Sequence, residues 1–273
     1  MCFVRRALLA LAVVASTASS MAGAQSPDPK VPAGRDPGGP AVAIIGAGLD
    51  YRQPEIARRL ARDGEGEVIG WDFAGNDPRP FTTEAGADPL TKVVLAESQT
   101  ARLVVTRVAA GRSDQIALAL RFVADTPARI VLVAADPGAP IRRDDLSDAA
   151  RQLPQLLIVV PARMVAADPV PVAPRSAEPA GLLIVDQEGS SASADLLVAL
   201  ADASGGAITG ATAAGRVVGD VASARVVALA ARLERREPAL NGAALRARIL
   251  SLAEAKPTGP PVVRDIRQLH GSE

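Results

Sequence analysis

Few residues in this 273-residue chain are equipped for acid–base or nucleophilic chemistry. The single histidine, His270, stands near the carboxyl end, and the single cysteine, Cys2, near the amino end. Thr212 offers a hydroxyl at the start of a long apolar helix pattern, where the helix dipole would stabilise a developing anion, with Lys92 or Glu84 as its base. A threonine at such a place more commonly caps the helix by accepting a backbone amide hydrogen bond, so capping by Thr209 or Thr212 is the expectation. Glu84 then reads as a solvated loop acid and Lys92 as a solvated helix residue. Asp50 and Asp72 suggest a carboxylate pair for proton transfer or for calcium. No further acid falls at loop-ligand spacing around them, so each is expected to tether its own turn, and no metal or other cofactor is expected.

The elements that would position these groups are read from periodicity. Val42–Asp50, VAIIGAGLD, is an apolar β-branched run broken by Gly46 and Gly48, which predicts a buried strand at 42–45 ending in a tight turn. A helix is predicted near 54–62, with Pro54 at its first position and Glu55 in its first turn. Further strands are predicted at 67–72, 102–107, 129–135, 156–160 and 182–185, and helices at 113–124 and 142–152. That alternation predicts an α/β domain, with a mostly parallel central sheet and helices on both faces in three layers. Late in the chain, 211–235 reads as a largely buried helix carrying Val217, Val218, Val221, Ala224, Leu229 and Leu233, with Arg216, Asp220 and Ser223 as one polar stripe. A last helix is predicted at 242–255. The proline-rich stretch 166–180 reads as exposed filler.

At the amino end, Arg5 and Arg6 precede the apolar run Ala7–Ala15, and Ala22-Gly23-Ala24 is a small-x-small cleavage site, which predicts a signal peptide over 1–24. Residues 25–40 hold Pro27, Pro32, Pro37 and Pro40 among glycines and charges and predict a disordered linker. The domain is expected over 41–255, and a flexible tail over 256–273. The expected compartment is extracytoplasmic, either periplasmic or secreted, with no membrane span once the signal is removed. The chain carries 30 basic and 30 acidic residues, and that balance argues against a nucleic-acid partner. Aromatics make up only 2% of the chain, so the core must be packed from Ala, Val, Leu and Ile.

Two resemblances compete for the stretch after the first strand. GAGLDYRQPEIARRLARDG, with Asp72 ending the next strand, partly matches a Rossmann dinucleotide fingerprint. The third glycine position is Tyr51, whose phenol opposes close helix packing and a phosphate seat. The wider resemblance is to the subtilisin-like serine proteases, and it runs in order from Val42 to about Glu254. VAIIGAGLDYRQPEI resembles the segment around the catalytic Asp, GWDFAGNDPRP the stretch that follows, and ARIVLVAADPG the central strand with its substrate loop. LLIVVPAR resembles the strand leading to the oxyanion asparagine, GLLIVDQEG the next strand and hairpin, and GATAAGRVVGDVASARVVALAARLERREPAL the nucleophile motif and its helix.

What the resemblance implies for chemistry is loss. The Asp position falls on Gly46 and the general-base position on Pro89. The nucleophile position falls on Thr212, or on Ala211 if the register slips by one, and the oxyanion position falls near Arg163. Arg216 and Asp220 stand where the family's helix has proline and glycine, and are expected to pair and fill the vestigial cleft. A triad acts as a unit, so no catalysis by the family's mechanism is expected. The expected function is that of a pseudoprotease binding a protein or peptide in the old cleft. Its alternatives are an active hydrolase with a rebuilt site and a Rossmann-like nucleotide-binding module.

Overall fold

The computed structural model describes residues 28–84, 87–166, 181–189, 193–199 and 217–269. Residues 1–27, where a signal peptide is expected over 1–24, the 167–180 stretch, Thr209, Ala211, Thr212, Arg216 and His270 lie outside the described residues.

Eight strands form one sheet in the order β2-β3-β1-β4-β5-β6-β7-β8, and every pairing among them is parallel. They are β1 (Ala41–Gly46), β2 (Gly70–Asp72), β3 (Arg102–Arg107), β4 (Ile130–Val133), β5 (Leu157–Pro161), β6 (Leu182–Gln187), β7 (Leu196–Val198) and β8 (Val262–Val263). The helices are α1 (Pro54–Ala57), α2 (Asp88–Glu97), α3 (Ser113–Ala124), α4 (Arg143–Gln152), α5 (Val217–Arg236) and α6 (Gly242–Ser251). A 3-10 turn, Ala162–Met164, follows β5. β3 and α3 match their predicted bounds, whereas the helix predicted near 54–62 closes after one turn.

β1 is hydrogen-bonded on both sides, by β3 and β4, and all six of its residues are buried. Its side chains alternate between two cores. Val42 and Ile44 pack with α2, α5 and α6, while Ala43 and Ile45 pack with α3 and α4. This is the three-layer arrangement that the alternating strand and helix patterns predict.

Three expectations are corrected. Residues 28–40 have no helix or strand, yet polar tethers hold them. Asp36 pairs with Arg102 at 2.5 Å and accepts from the amides of Gly38 (2.7 Å) and Arg62 (2.8 Å). The tail expected from residue 256 is ordered through 269: β8 pairs with β7, Ile266 is fully buried, and Arg264 bonds Glu188 and Glu254. A two-residue strand directly after Pro260 and Pro261 is too short to show period-two alternation, so pairing with β7, not composition, orders this segment. Of the polar stripe expected on α5, the two described residues are buried, with Ser223 at 0% and Asp220 at 8% exposure.

α5 also carries two buried arginines. Arg225 is 1% exposed and its Nε lies 3.2 Å from Oε1 of Glu97, the last residue of α2. Arg232 donates to the carbonyls of Glu97 and Ile266, each at 2.7 Å. Arg267, from the carboxyl-terminal segment, reaches the same Glu97 oxygen at 3.1 Å. Burial pushes the Glu97 carboxyl above the usual range, against the pull of Arg225, Arg267 and Arg232.

Removing one partner of a buried pair strands the other charge. Arg225→Ala is therefore expected to destabilise the fold by about 3–5 kcal/mol. Arg267→Ala, whose side chain is 52% exposed, is expected to lose about 1 kcal/mol or less. Urea unfolding of both variants measures the difference.

Candidate functional site

In a parallel sheet, functional groups collect at the carboxyl ends of the strands. β1 delivers Gly46 and Gly48 to that edge. A Cβ on Gly46 would stand 3.0 Å from the Ala87 Cβ and 3.7 Å from that of Ala134, so the position is closed by its neighbours. Gly48 has φ +92°, and a Cβ there would meet the Pro80 carbonyl at 2.9 Å and the Arg107 side chain at 3.1 Å. The turn that a dinucleotide would need is thus covered by Pro80 and Arg107. Tyr51 completes the closure. It is 4% exposed, its hydroxyl donates to the Pro29 carbonyl at 3.0 Å, and its ring lies 5.1 Å from that of Phe81.

Asp50 sits just beyond this turn and serves it. Its carboxylate takes the Arg52 guanidinium in a fork at 2.9 and 3.0 Å, and Arg52 holds its pKa below the usual carboxylate range. Its own amide donates to Asp88 Oδ1 at 3.1 Å, and Gln53 Nε2 donates to Asp88 Oδ2 at 2.6 Å. Asp88 opens α2 and is 9% exposed, and burial raises its pKa. Pro89 follows in the first turn of α2, where its missing amide is least costly. The Thr91 hydroxyl donates to the Ala87 carbonyl at 2.9 Å and fixes the same turn. Lys92 faces outward and pairs with Glu55 at 3.5 Å, both side chains being 48% exposed. Glu84 is exposed, and its amide donates to the Thr82 hydroxyl at 3.1 Å.

Asp72 belongs to a different turn from Asp50. It is fully buried, accepts from the amides of Ala74 (2.7 Å) and Gly75 (2.8 Å), and pairs with Arg107 at 2.9 Å. The structure brings Asp77 and Asp28 to it, with one carboxylate oxygen of each of the three within 4.8 Å of the others. Spacing around Asp72 did not suggest this group, because Asp28 arrives from the tethered amino-terminal segment. Arg107 and the two turn amides already satisfy Asp72, and Asp77 accepts from the Arg79 amide at 2.7 Å.

Further along the edge, the turn after β5 presents Arg163. Its Nε and Nη2 donate to the two oxygens of Asp220, each at 2.6 Å, in a bidentate fork. Asp220 lies in the first turn of α5, where a negative charge suits the helix dipole. Asp220, expected in the vestigial cleft, and Arg163, near the expected oxyanion position, are therefore joined by one ion pair across 57 residues of sequence. The partner expected for Asp220 was Arg216, which lies outside the described residues. The signal for Arg163 was available in its type: a fork donor next to the end of a buried strand needs a carboxylate.

No protein-family model matches this sequence, and no curated protein matches it by sequence. Solved structures do match. The serine protease MycP1, an essential component of the type VII (ESX-1) secretion system, is 14% identical with TM-score 0.51, over 86% of this chain and 84% of its own. A lanthipeptide protease is 12% identical with TM-score 0.51, over 85% and 88%. The A-subunit of the AB5 toxin from E. coli is 13% identical with TM-score 0.55, over 85% and 92%. The fold is subtilisin-like. At such identities the likeness concerns the path of the chain, and residue roles have to come from the geometry of this edge. No helix among the described residues is long and apolar enough to cross a membrane.

A carboxylate placed at the end of β1 would have to enter the space held by Ala87 and Ala134. Gly46→Asp is expected to destabilise the protein by about 3 kcal/mol or more, through overpacking and an unpaired buried charge. It is also expected to confer no hydrolytic activity. Thermal unfolding and a casein-release assay on the same preparation check both.

Proposed function

We propose that this protein is a non-catalytic relative of the subtilisin-like proteases, exported from the cytoplasm, that binds a protein or peptide at the carboxyl edge of its sheet. The observation that carries this reading is the way that edge is occupied. Where the resemblance places the triad aspartate, Gly46 is packed against Ala87. Where it places the general base, Pro89 lies inside the first turn of α2. Near the oxyanion position, Arg163 is forked onto Asp220. Acyl transfer needs a base to take the hydroxyl proton and a third group to orient that base. The single histidine in the sequence, His270, belongs to a segment far along the chain from all of these positions.

Binding fits the same features. The Arg163–Asp220 pair presents a polar, charge-neutralised surface at the strand ends, where a peptide backbone could be received without chemistry. The proteases of similar fold act on polypeptides by name, which favours a peptide or protein partner over a nucleotide. The covered turn at Gly48 and the buried Tyr51 point the same way. The signal-like segment 1–24 supports an extracytoplasmic setting.

The mature protein is expected to remain unlabelled by a fluorophosphonate probe, read by intact mass, while a folded active serine protease is labelled in parallel. Labelling that disappears in Thr212→Ala would overturn the reading and establish a rebuilt hydrolase. Arg163→Ala, which frees the Asp220 carboxylate, is expected to leave the protein unlabelled and to lower its melting temperature.

A further inference from the structure

Residues 28–36 form neither helix nor strand, yet the domain holds them as it would hold a bound peptide. The Tyr51 hydroxyl donates to the Pro29 carbonyl at 3.0 Å, Arg79 Nη1 to the Asp28 carbonyl at 2.9 Å, and Arg62 Nη1 to the Pro32 carbonyl at 2.9 Å. The Gly34 amide donates to the Gly66 carbonyl at 3.0 Å. All four contacts fall on main-chain atoms of the segment. Its side chains add two ion pairs, Lys30 with Glu67 at 2.9 Å and Asp36 with Arg102 at 2.5 Å. The seat flanks β2, because the turn at 63–68 precedes that strand and the turn at 78–80 follows it. Three strands separate β2 from β5 in the sheet, so this seat is distinct from the strand-end surface that holds Arg163 and Asp220.

Pro29 and Pro32 fix φ at their own positions and push Asp28 and Val31 toward extended backbone, which leaves carbonyls free of intrachain bonds. Side-chain donors facing such carbonyls beside an aromatic ring are the chemistry that receives extended proline-containing chains. Contacts to carbonyls are made alike by any extended chain, so the seat selects a backbone shape more than this one sequence. The segment also fills the seat incompletely. A cavity of about 360 Å³ stays open, lined by Tyr51, Val68, Pro78 and Pro80 from the domain and by Pro29 and Val31 from the segment. Lys30, Pro32, Ala33, Gly34 and Arg35 are exposed, so docking buries little apolar surface. The Lys30 and Glu67 side chains are 60% and 41% exposed, and an ion pair of that kind holds weakly.

We propose that this flank of the domain is a receptor for an extended segment of a partner polypeptide, with prolines three residues apart and a cation between them, and that residues 28–33 are its resident occupant. Tyr51, Arg79 and Arg62 receive the partner's carbonyls as they receive the resident's. Glu67, with Asp63 on the same wall of the cavity, receives its cation, and the open cavity takes a side chain bulkier than the resident supplies. The resident competes from a tether a few residues long, at an effective concentration on the order of millimolar. A partner is therefore admitted when the resident is released. The Asp36 anchor, which lies beyond the contacts that a partner would take over, sets how readily that happens.

The test is fluorescence anisotropy of a labelled synthetic peptide, Pro-Asp-Pro-Lys-Val-Pro-Ala, the sequence of residues 27–33, titrated with the full chain and its variants. The peptide lacks Asp36, so Asp36→Asn loosens the resident alone. This variant is expected to bind the peptide about threefold or more tighter than the wild type, the scale of one partly exposed ion pair. Adding Pro29→Gly and Pro32→Gly to the chain is expected to tighten binding further. In that triple variant the resident no longer competes, and Tyr51→Phe is expected to weaken peptide binding about threefold, the scale of one hydrogen bond. A peptide with glycine in place of its second and third prolines is expected to bind more weakly to every variant. Equal binding by the wild type and Asp36→Asn overturns the proposal, as does binding indifferent to Tyr51→Phe in the triple variant or to the peptide's prolines. Should the triple variant fail to fold, Asp36→Asn and the glycine peptide decide. A dimer of Asp36→Asn in sedimentation that the peptide dissolves also overturns the assignment to a partner, because a second copy is then the occupant.

Discussion

A twenty-residue helix buried along most of its length gives the arginines in its middle no solvent face, so these must find internal partners. In α5 the demand falls on Arg225 and Arg232, and it is met at the far end of α2, by the Glu97 carboxylate and carbonyl. The consequence is structural. Glu97 joins α2, α5 and the carboxyl-terminal segment at one point, since Arg267 reaches it as well. A buried charge is costly without its buried partner, so Glu97 favours one arrangement of these three pieces, with Arg225 carrying more of it than the half-exposed Arg267. The ordered carboxyl-terminal segment, with Ile266 buried and its carbonyl bonded to Arg232, is part of that arrangement.

The same rigid frame governs the carboxyl edge of the sheet. α2 starts beside the end of β1, with the Ala87 amide donating to the Gly48 carbonyl at 3.3 Å, and this places the Ala87 methyl against Gly46. The described part of α5 starts beside the turn after β5, where Asp220 takes the Arg163 fork. In both places the space near a strand end is filled by a small apolar contact or a neutralised ion pair.

At the amino edge the constraint is reversed. There Glu234 Oε2 and Arg102 Nε are buried without hydrogen-bond partners. Because Arg102 also holds Asp36, the position of the first ordered segment depends on charges in the core.

Much of the fold was legible in the sequence. The β-branched runs at 42–45, 102–107 and 130–133 are buried on both faces of a parallel sheet, where continuous apolar runs are required, and periodicity shows them directly. Helix α3 carries its own amphipathic pattern, so its bounds were readable to the residue. The closing of the Rossmann-like turn was legible in Tyr51, a side chain too large for a glycine's place. By contrast, β8 and the tethering of residues 28–40 depend on partners distant in the chain, on β7 for one and on Arg62 and Arg102 for the other. For the site, residue types such as the single histidine are read directly from the sequence, because a residue type cannot be altered by folding. Only the tertiary structure decided that Arg163 pairs with Asp220, that Asp28 and Asp77 gather at Asp72, and that Arg225 and Arg232 share Glu97. The physical reason is that a charge on a buried element takes whichever counter-charge the packing brings within reach, and that distance is not written in either local sequence.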